Sequence, residues 1–403
     1  MSKSNETTPN VPTLRFREFI DSWTLIPIKK LLRFQNGINA DSTKYGKGIK
    51  YISVSDILNN QYITYDSIKG LIDIDEKTLN RFIVEYGDIL FQRSSETFED
   101  IGRANVYLDK EHSATFGGFV IRGKKISDYN PLFFRYLLCT HNARKQTVRM
   151  GAGAQHYNIG QEGLEKICLY FPCLQEQQKI SDLLFAIDNK IAVQNKIISK
   201  YETLIKGLSC DYFSKQPNHT AKLKDLIIKG KAGGTPSSTV AEYYNGDIPF
   251  LSISDMTKQG KYVEFTEKHI SENGLANSSA WIVPSNSLIL SMYASVGLVC
   301  INKVPLATSQ AMFSMVLKDC NMLDYIYYYL NFFRETQIHR LLETGTQSNI
   351  NADTVRDIEI PFYSNILVFV KTLQAIENRL NNEKDMLSRL MDLKTYLLSS
   401  LFI

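Results

Sequence analysis

The sequence predicts an α+β protein in which two similar mixed α/β globules alternate with two long helices that pair as an antiparallel coiled coil. Three observations carry this: a heptad seam across the middle of the chain, a second seam in the same phase at its C-terminal end, and a repeat of the short motifs preceding each seam.

The first seam is Ile180, Leu184, Ile187, Ile191, Gln194, Ile198, Tyr201, Ile205, Leu208 and Tyr212, in alternating steps of four and three. No proline or glycine interrupts it before Gly207, and Pro217 follows as a stop, so a helix is expected over residues 175–214. Some 40 residues make a rod of about 60 Å, and its apolar stripe needs a partner. Adding 189 to each position gives Phe369, Leu373, Ile376, Leu380, Glu383, Leu387, Leu390, Lys394, Leu397 and Leu401. Ala-Ile-Asp-Asn-Lys-Ile at 186–191 matches Ala-Ile-Glu-Asn-Arg-Leu at 375–380, which makes the second seam a repeat of the first. An antiparallel pair would hold the two globules at opposite ends, related by a pseudo-two-fold axis. Gln194, Glu383 and Lys394 are the polar seam positions, expected to set register at some cost in stability. Leu183, Ile197, Leu204, Leu393 and Leu398 lie off the seam and are expected to offer docking surface.

The elements follow in order. Residues 1–22 form a lead-in. Residues 23–172 form the first globule, with short β-rich runs at 49–54, 88–92, 104–108, 119–122 and 166–171 and one helix over 131–149. The first long helix covers 173–214, a polar linker 215–220, the second globule 221–362, and the second long helix 363–403. Tyr-Ile-Ser-Val-Ser-Asp-Ile at 51–57 aligns with Phe-Leu-Ser-Ile-Ser-Asp-Met at 250–256, and Gly87-Asp88-Ile89-Leu90 with Asn286-Ser287-Leu288-Ile289. Ala114-Thr115 aligns with Ala307-Thr308, and residues 153–159 with 345–350.

With 403 residues and 44% hydrophobic residues, real cores are expected in each half. The net charge of +4 is mild but uneven: residues 1–215 hold 29 basic and 24 acidic side chains, the remainder 17 and 18. Arg122, Lys124, Lys125, Arg135, Arg144, Lys145 and Arg149 face only Asp128, a run that could follow a phosphate backbone or simply face solvent. No stretch is long and apolar enough for a membrane span, and residues 1–10 have no signal-peptide core, so a cytoplasmic chain is expected. The six cysteines show no paired spacing and are expected to be buried free thiols. The histidines are too scattered for a metal site. Asn130-Pro131-Leu132-Phe133 imitates an amino-methyltransferase motif but lacks its second proline, and no Gly-rich loop follows a strand as a methyl-donor site would need. No catalytic, cofactor or metal constellation is expected.

Two similar globules on a rigid spacer suit a bipartite target, since dimeric DNA readers place half-sites about 34–36 Å apart. The motifs then carry a family resemblance. The second globule has Gly233-Gly234-Thr235-Pro236-Ser237 followed by Tyr243, and Ile-Pro-Phe-Leu-Ser-Ile-Ser-Asp at 248–255. Ser-Met-Tyr-Ala-Ser-Val-Gly at 291–297, Pro-Leu-Ala-Thr-Ser-Gln at 305–310 and Gly-Thr-Gln-Ser-Asn-Ile at 345–350 follow. The first half has Pro-Thr-Leu-Arg-Phe at 12–16 and Phe-Pro-Cys-Leu-Gln-Glu-Gln-Gln-Lys-Ile at 171–180. Over almost its whole length the chain resembles the specificity subunit of a type I restriction–modification system. It departs in two places: residues 361–367 lack the Glu-Gln-Gln of the first helix start, and the first globule has Gln35-Asn36-Gly37-Ile38 in place of a Gly-Thr-Pro motif.

The resemblance implies two target recognition domains that bind double-stranded DNA without catalysis. It also implies partners: two methyltransferase subunits using S-adenosylmethionine, and restriction subunits using ATP and Mg. Direct readout needs paired donors and acceptors, and backbone positioning needs hydroxyls, amides and cations. The candidates in the first globule are Lys44, Tyr45, Lys47, Gln92, Arg93, Ser94, Arg103, Arg149, Gln155, His156, Tyr157 and Asn158. Those in the second are Thr235, Ser237, Tyr243, Ser291, Tyr293, Ser295, Ser309, Gln310, Thr346, Gln347, Ser348 and Asn349. Ordinary turn chemistry accounts for such residues too. A coiled-coil-spaced protein adaptor without DNA specificity is the competing class.

Overall fold

The protein is described here by a computed structural model covering residues 10–153, 157–340 and 349–403. Two compact units divide it: residues up to 196 with 385–403, and residues 197–384. The boundary falls within both long helices, Leu174–Phe213 (40 residues) and Ile366–Ser400 (35 residues), and not at their ends.

In the first unit an antiparallel sheet runs in the order Leu32–Asn36, Val120–Lys125, Ile89–Gln92, Ala104–Val106. A smaller sheet pairs Tyr45–Ile52 with Leu71–Ile72 and, in parallel, with Thr115–Phe116. Thr24–Pro27 closes antiparallel onto Cys168–Phe171, so the start and end of the globule meet at the base of the first long helix. The second unit has the same plan. Its main sheet is Ile227–Ala232, Met312–Leu317, Leu288–Ser291, Val299–Asn302 and Tyr262–Val263, and Tyr244–Leu251 pairs with Lys268–Ile270 and Ala307–Thr308. His219–Lys222 closes on Glu359–Phe362.

The repeated Ser-x-Ser-Asp motif has a local cause. Ser53 and Asp56, like Ser252 and Asp255, form a capping box: each aspartate accepts from the backbone N–H of the first serine (2.8 and 2.9 Å) at a helix start. Ser-Asp is conserved between the halves because two donors that the helix leaves unpaired need an acceptor.

Within each unit the helix segments run antiparallel. In the first, Asp188 meets Lys394 at 2.6 Å, while Val193 and Gln194 share a groove with Met386 and Leu390. In the second, Glu202 meets Lys384 at 2.9 Å, and Tyr212 stacks on Phe369 with ring centres 3.8 Å apart. Ile180, Leu184 and Ile187 are buried with Leu397 and Leu401 in the first core, and Tyr212, Phe369 and Leu373 are buried in the second. Of the polar seam positions, Gln194 is buried, and Lys394 answers Asp188 from off the first seam. Leu183 and Leu398 are half-buried and pack against the first core, whereas Leu204 and Leu393 are exposed.

The globules grip the helices through matched polar clusters. In the first unit the Tyr136 hydroxyl donates to Asp188 (2.7 Å), which also pairs with Lys394. In the second the Tyr328 hydroxyl donates to Glu377 (2.5 Å), and Lys261 reaches both Glu377 (2.6 Å) and Asp324 (2.8 Å). Asp188 and Glu377 are the seam-repeat pair, 189 apart. Tyr325, Tyr328 and Tyr329 are buried, as a core face should be.

Several expectations are corrected. The helix over 131–149 is two helices, Pro131–Cys139 and His141–Arg149: Thr140 is extended (ψ 156°), and its hydroxyl caps the second by accepting from Ala143. Asn130-Pro131 is the cap of the first, with the Asn130 side chain accepting from the Phe133 N–H (2.8 Å), which accounts for the motif without catalysis. Part of the basic run is spent on bonds inside the unit. Arg122 is buried and donates to the Ile83 carbonyl and to Gln35, and Arg144 donates to the carbonyls of Glu99 and Ile101. All six cysteines are free, but only Cys300 is buried. The repeat also slips by one. Tyr51 pairs with Thr115 and Phe250 with Ala307, so Thr115-Phe116, not Ala114-Thr115, takes the place of Ala307-Thr308.

The two departures at the motif level resolve differently. At the first helix start, Glu176 takes a two-pronged bond from Arg15 (both 2.7 Å), and Gln177 accepts from the Asn130 N–H (2.9 Å). The second start, lacking these residues, docks through aromatics: Tyr325 donates to the Pro361 carbonyl (2.5 Å) and Tyr363 to the Lys215 carbonyl (3.1 Å). Gly37 and Gly233 occupy one place. Their N–H groups donate to Val120 and Met312 (both 3.1 Å), and in each case an added Cβ would lie 2.0 Å from a carbonyl oxygen, of Gly117 and Thr308 respectively.

Candidate nucleic-acid interface

Four loops converge in each unit, held by backbone bonds that match between the units. In the first, the Arg93 N–H donates to the Phe119 carbonyl (2.8 Å) and the Ile159 N–H to the Arg93 carbonyl (3.0 Å). In the second, the Met292 N–H donates to the Ala311 carbonyl (2.8 Å) and the Ile350 N–H to the Met292 carbonyl (3.1 Å). The fourth loop joins at its base, where the Ile38 N–H donates to the Phe116 carbonyl (3.0 Å) and the Gly234 N–H to the Thr308 carbonyl (2.9 Å), and a tyrosine closes it on itself in each case. Tyr45 OH accepts from the Ala40 N–H (3.4 Å), and Tyr244 OH donates to the Pro236 carbonyl (2.6 Å).

On this lattice the first unit sets Arg93, whose guanidinium donates to the Gly118 carbonyl (3.2 Å), beside Ser94, whose hydroxyl donates to Asn158 Oδ1 (2.5 Å). The short strands Ser94–Ser95 and Tyr157–Asn158 pair, and Tyr157 packs edge-on against Phe98. Arg103 is exposed at the rim of the same loop, paired with Asp100 at 2.7 Å. Arg149 is exposed in the last turn of its helix, and Gly151 beyond it would meet Ile101 if it carried a Cβ. Lys44, Tyr45 and Lys47 are exposed on the neighbouring loop, Lys47 paired with Asp73 at 3.1 Å. Asp41 caps that loop. The Thr43 N–H, then its hydroxyl, hold the Asp41 carboxyl below the usual carboxylate range. Burial, followed by the bond with Tyr45, pushes the Tyr51 phenol up, so it stays neutral beside the loop.

In the second unit the Thr235 hydroxyl donates to Gln310, and Ser237 bonds Thr239 (2.8 Å). Ser309 braces its own turn by accepting from the Ala311 N–H (3.3 Å). Tyr293 and Ser295 are exposed on a turn with positive φ at Ala294 (37°) and Ser295 (53°), and Asn349 adjoins Ile350. Tyr243 stands apart, half-buried against residues 271–274 through the Ser271 N–H (3.0 Å). Gln155, His156, Thr346, Gln347 and Ser348 lie outside the described residues.

Two candidates do not present their polar atoms. Gln92 is buried and donates to the Ser94 carbonyl (2.9 Å). Ser291 is fully buried, its hydroxyl 2.5 and 2.9 Å from the carbonyls of Tyr293 and Ala294. They hold equivalent places opposite Val120 and Met312, and each shapes the turn that follows it. Phe119 and Asn39 were missed by the sequence. Asn39 Oδ1 occupies the space that a Cβ on Gly118 would need, 1.6 Å away, and Phe119 is 68% exposed. The Gly117-Gly118 pair was the available signal, marking a close backbone approach.

Among the described residues no group of three His, Cys, Asp or Glu side chains could hold a metal, and no helix is long and apolar enough to cross a membrane. The arrangement offers exposed amides, hydroxyls and cations on rigid turns, which is the chemistry of base-edge and phosphate contact.

Comparison with known proteins agrees. The specificity subunit of the type I restriction enzyme MjaIX of Methanocaldococcus jannaschii is 30% identical over 145 residues, covering 36% of this chain and 33% of that protein. That of HindI of Haemophilus influenzae is 23% identical over 435 residues, covering 86% of this chain and 92% of that one. The S subunit of a type I restriction–modification system from M. genitalium matches in fold with a TM-score of 0.61 at 14% identity, over 98% of this chain and 99% of that one. A chain from work on complex assembly and conformational transition of the type I R-M system matches at 0.59 and 13% identity, over 94% and 97%. Residues 22–203 and 216–384 each match the type I restriction modification DNA specificity domain, and the chain belongs to that family with two copies of its domain.

Proposed function

We propose that this chain is the DNA-specificity subunit of a type I restriction–modification complex, each unit reading one half of an asymmetric bipartite site. The matched backbone lattice carries the reading: the same bonds hold loops whose side chains differ, Arg93-Ser94 and Gly117-Gly118-Phe119 in one unit, Met292-Tyr293 and Ser309-Gln310-Ala311 in the other. Equivalent scaffolds with different donors and acceptors select different bases. Gln92 and Ser291 act in this reading by fixing the turns and not by touching DNA.

The two long helices set the gap between the half-sites. Their exposed apolar residues, among them Val193, Leu204, Met386, Met391 and Leu393, supply docking surface for methyltransferase subunits. Methyl transfer to adenine from S-adenosylmethionine, and ATP- and Mg-dependent restriction, belong to the partner subunits. The complex is expected to work in the cytoplasm, where the host DNA is.

A salt series tests the reading. Binding of the methyltransferase-assembled complex to its selected duplex should fall steeply and linearly with the logarithm of salt concentration. Failure of the assembled complex to prefer any duplex sequence at any salt concentration would favour the protein-adaptor class. Mapping methylated adenines in the host genome identifies both half-sites and the gap.

A further inference from the structure

We propose that Phe119 is a specificity-determining residue that reads the C5-methyl group of a thymine in the half-site taken by the first unit. The inference rests on the DNA-reading function proposed above. Phe119 sits on a tight turn closed by the Val120 N–H donating to the Gly117 carbonyl (2.8 Å). The turn is pinned from one side by Arg93, whose backbone N–H bonds the Phe119 carbonyl and whose guanidinium bonds the Gly118 carbonyl. From the other it is pinned by Asn39 and Tyr51, which fill the spaces that side chains at Gly118 and Gly117 would need. The backbone is bonded in place while Phe119 is 68% exposed, against 39% for Phe98 and Tyr45 and 42% for Tyr293, the other large exposed apolar residues of the two interfaces.

The fold does not require this ring. Ala311 holds the equivalent place in the second unit, on the same backbone bond, and is half-buried. An apolar side chain among groups that read base edges has one apolar feature to read there. In the major groove that feature is the thymine methyl, which cytosine, adenine and guanine lack and which the minor groove does not display. Arg93, which holds the Phe119 turn, and the adjoining Ser94 and its partner Asn158 carry the polar groups of the joined loops, so the ring adds discrimination that none of them can provide.

The test uses the full chain assembled with its methyltransferase subunits. A random-sequence duplex library first selects the bipartite site. Each thymine of the selected site is then replaced singly by deoxyuridine, which removes only the methyl. One replacement should weaken wild-type binding about fourfold, the equivalent of about 0.8 kcal/mol for one buried methyl group. Phe119→Ala should bind the thymine and deoxyuridine duplexes equally at that position, with every other preference kept. Wild-type indifference to deoxyuridine at every thymine, or discrimination that survives in Phe119→Ala, overturns the proposal. So does a rise in 2-aminopurine fluorescence beside the site that disappears in Phe119→Ala, because it would place the ring between base steps. Failure of the wild-type complex to select any duplex would instead sink the DNA-reading function itself.

Discussion

Removing Lys261 isolates the contribution of one buried ion cluster to holding a globule on its helix. Its side chain is only 10% exposed and lies 2.6 Å from Glu377 on the second long helix and 2.8 Å from Asp324 on Leu323–Thr336. Burial pushes the Lys261 ammonium down, but the charges and hydrogen bonds of Glu377 and Asp324 outweigh it and leave the group above its ordinary value. Burial likewise pushes Asp324 up, and the bond and charge of Lys261, with hydrogen bonds from Gln374 and Tyr262, bring it below the usual range. Lys261→Met leaves two carboxylates facing each other without a cation. Breaking a buried pair from one side costs about 3–5 kcal/mol.

The pH dependence follows from the signs. The Asp324 contribution is present above the ordinary carboxylate value of about 4 and is lost as pH falls through its lower folded value. The Lys261 contribution is present below about pH 10 and is lost only above that, outside the working range. In the variant Asp324 can protonate instead, so the deficit should be largest near pH 7 and smaller near pH 4. Urea unfolding, with hydrogen exchange of amides 325–333 as the local probe, measures it. A loss under about 1 kcal/mol at pH 7, or the same loss at both pH values, would refute the electrostatic account of this grip.

Three further outcomes are expected. Ser252→Ala should lower stability by about 1 kcal/mol in urea unfolding and leave sequence selection unchanged, since the Ser252 hydroxyl bonds only within its own helix start, to Asp255. Gln310→Ala should relax the preference at one base pair of one half-site by about 1–3 kcal/mol while the other half-site is read as before, measured by sequencing selected duplexes. Inserting seven residues in register into both long helices should lengthen the tolerated gap between half-sites by about 10 Å of helix, and a gap that stays the same would end the spacer role.

Much of the architecture was legible because it is periodic. The heptad seams needed only spacing, and the 189-residue offset found Asp188 and Glu377 as counterparts before either had a partner. The partners were not legible. Ile63 bridges Tyr107 as Val263 pairs with Asn302, so Gln61 holds the place of Lys261, and the nearest cation to Asp188 is Lys394 (2.6 Å), more than 200 residues downstream, with Arg135 farther off at 3.9 Å. Such compensation across the sequence leaves no local trace. The one-residue slip at Ala114-Thr115 came from an identical dipeptide, which outweighed the pleat alternation that decides the true register. The break at Thr140 was hidden by continuous helical periodicity, because a capping threonine reads as an ordinary polar position. At the interface, composition located the loops but could not tell Gln92 and Ser291, turned inward at strand ends, from Ser94 and Tyr293 just beyond them. Phe119 was passed over because an aromatic that opens a β-rich run, 119–122, reads as core.

The bonds that join the reading loops to one another are made by main-chain atoms. Every residue except proline carries the N–H and C=O that the bonds at 93, 119 and 159, or at 292, 311 and 350, require. Replacing a side chain there alters what the surface recognises while leaving the bonds that shape it in place. Foldability and target choice are thus separable properties of this chain: its vocabulary can drift by point substitution without passing through unfolded intermediates. A library randomised at 94, 119, 293 and 310 should consist largely of folded proteins with new preferences.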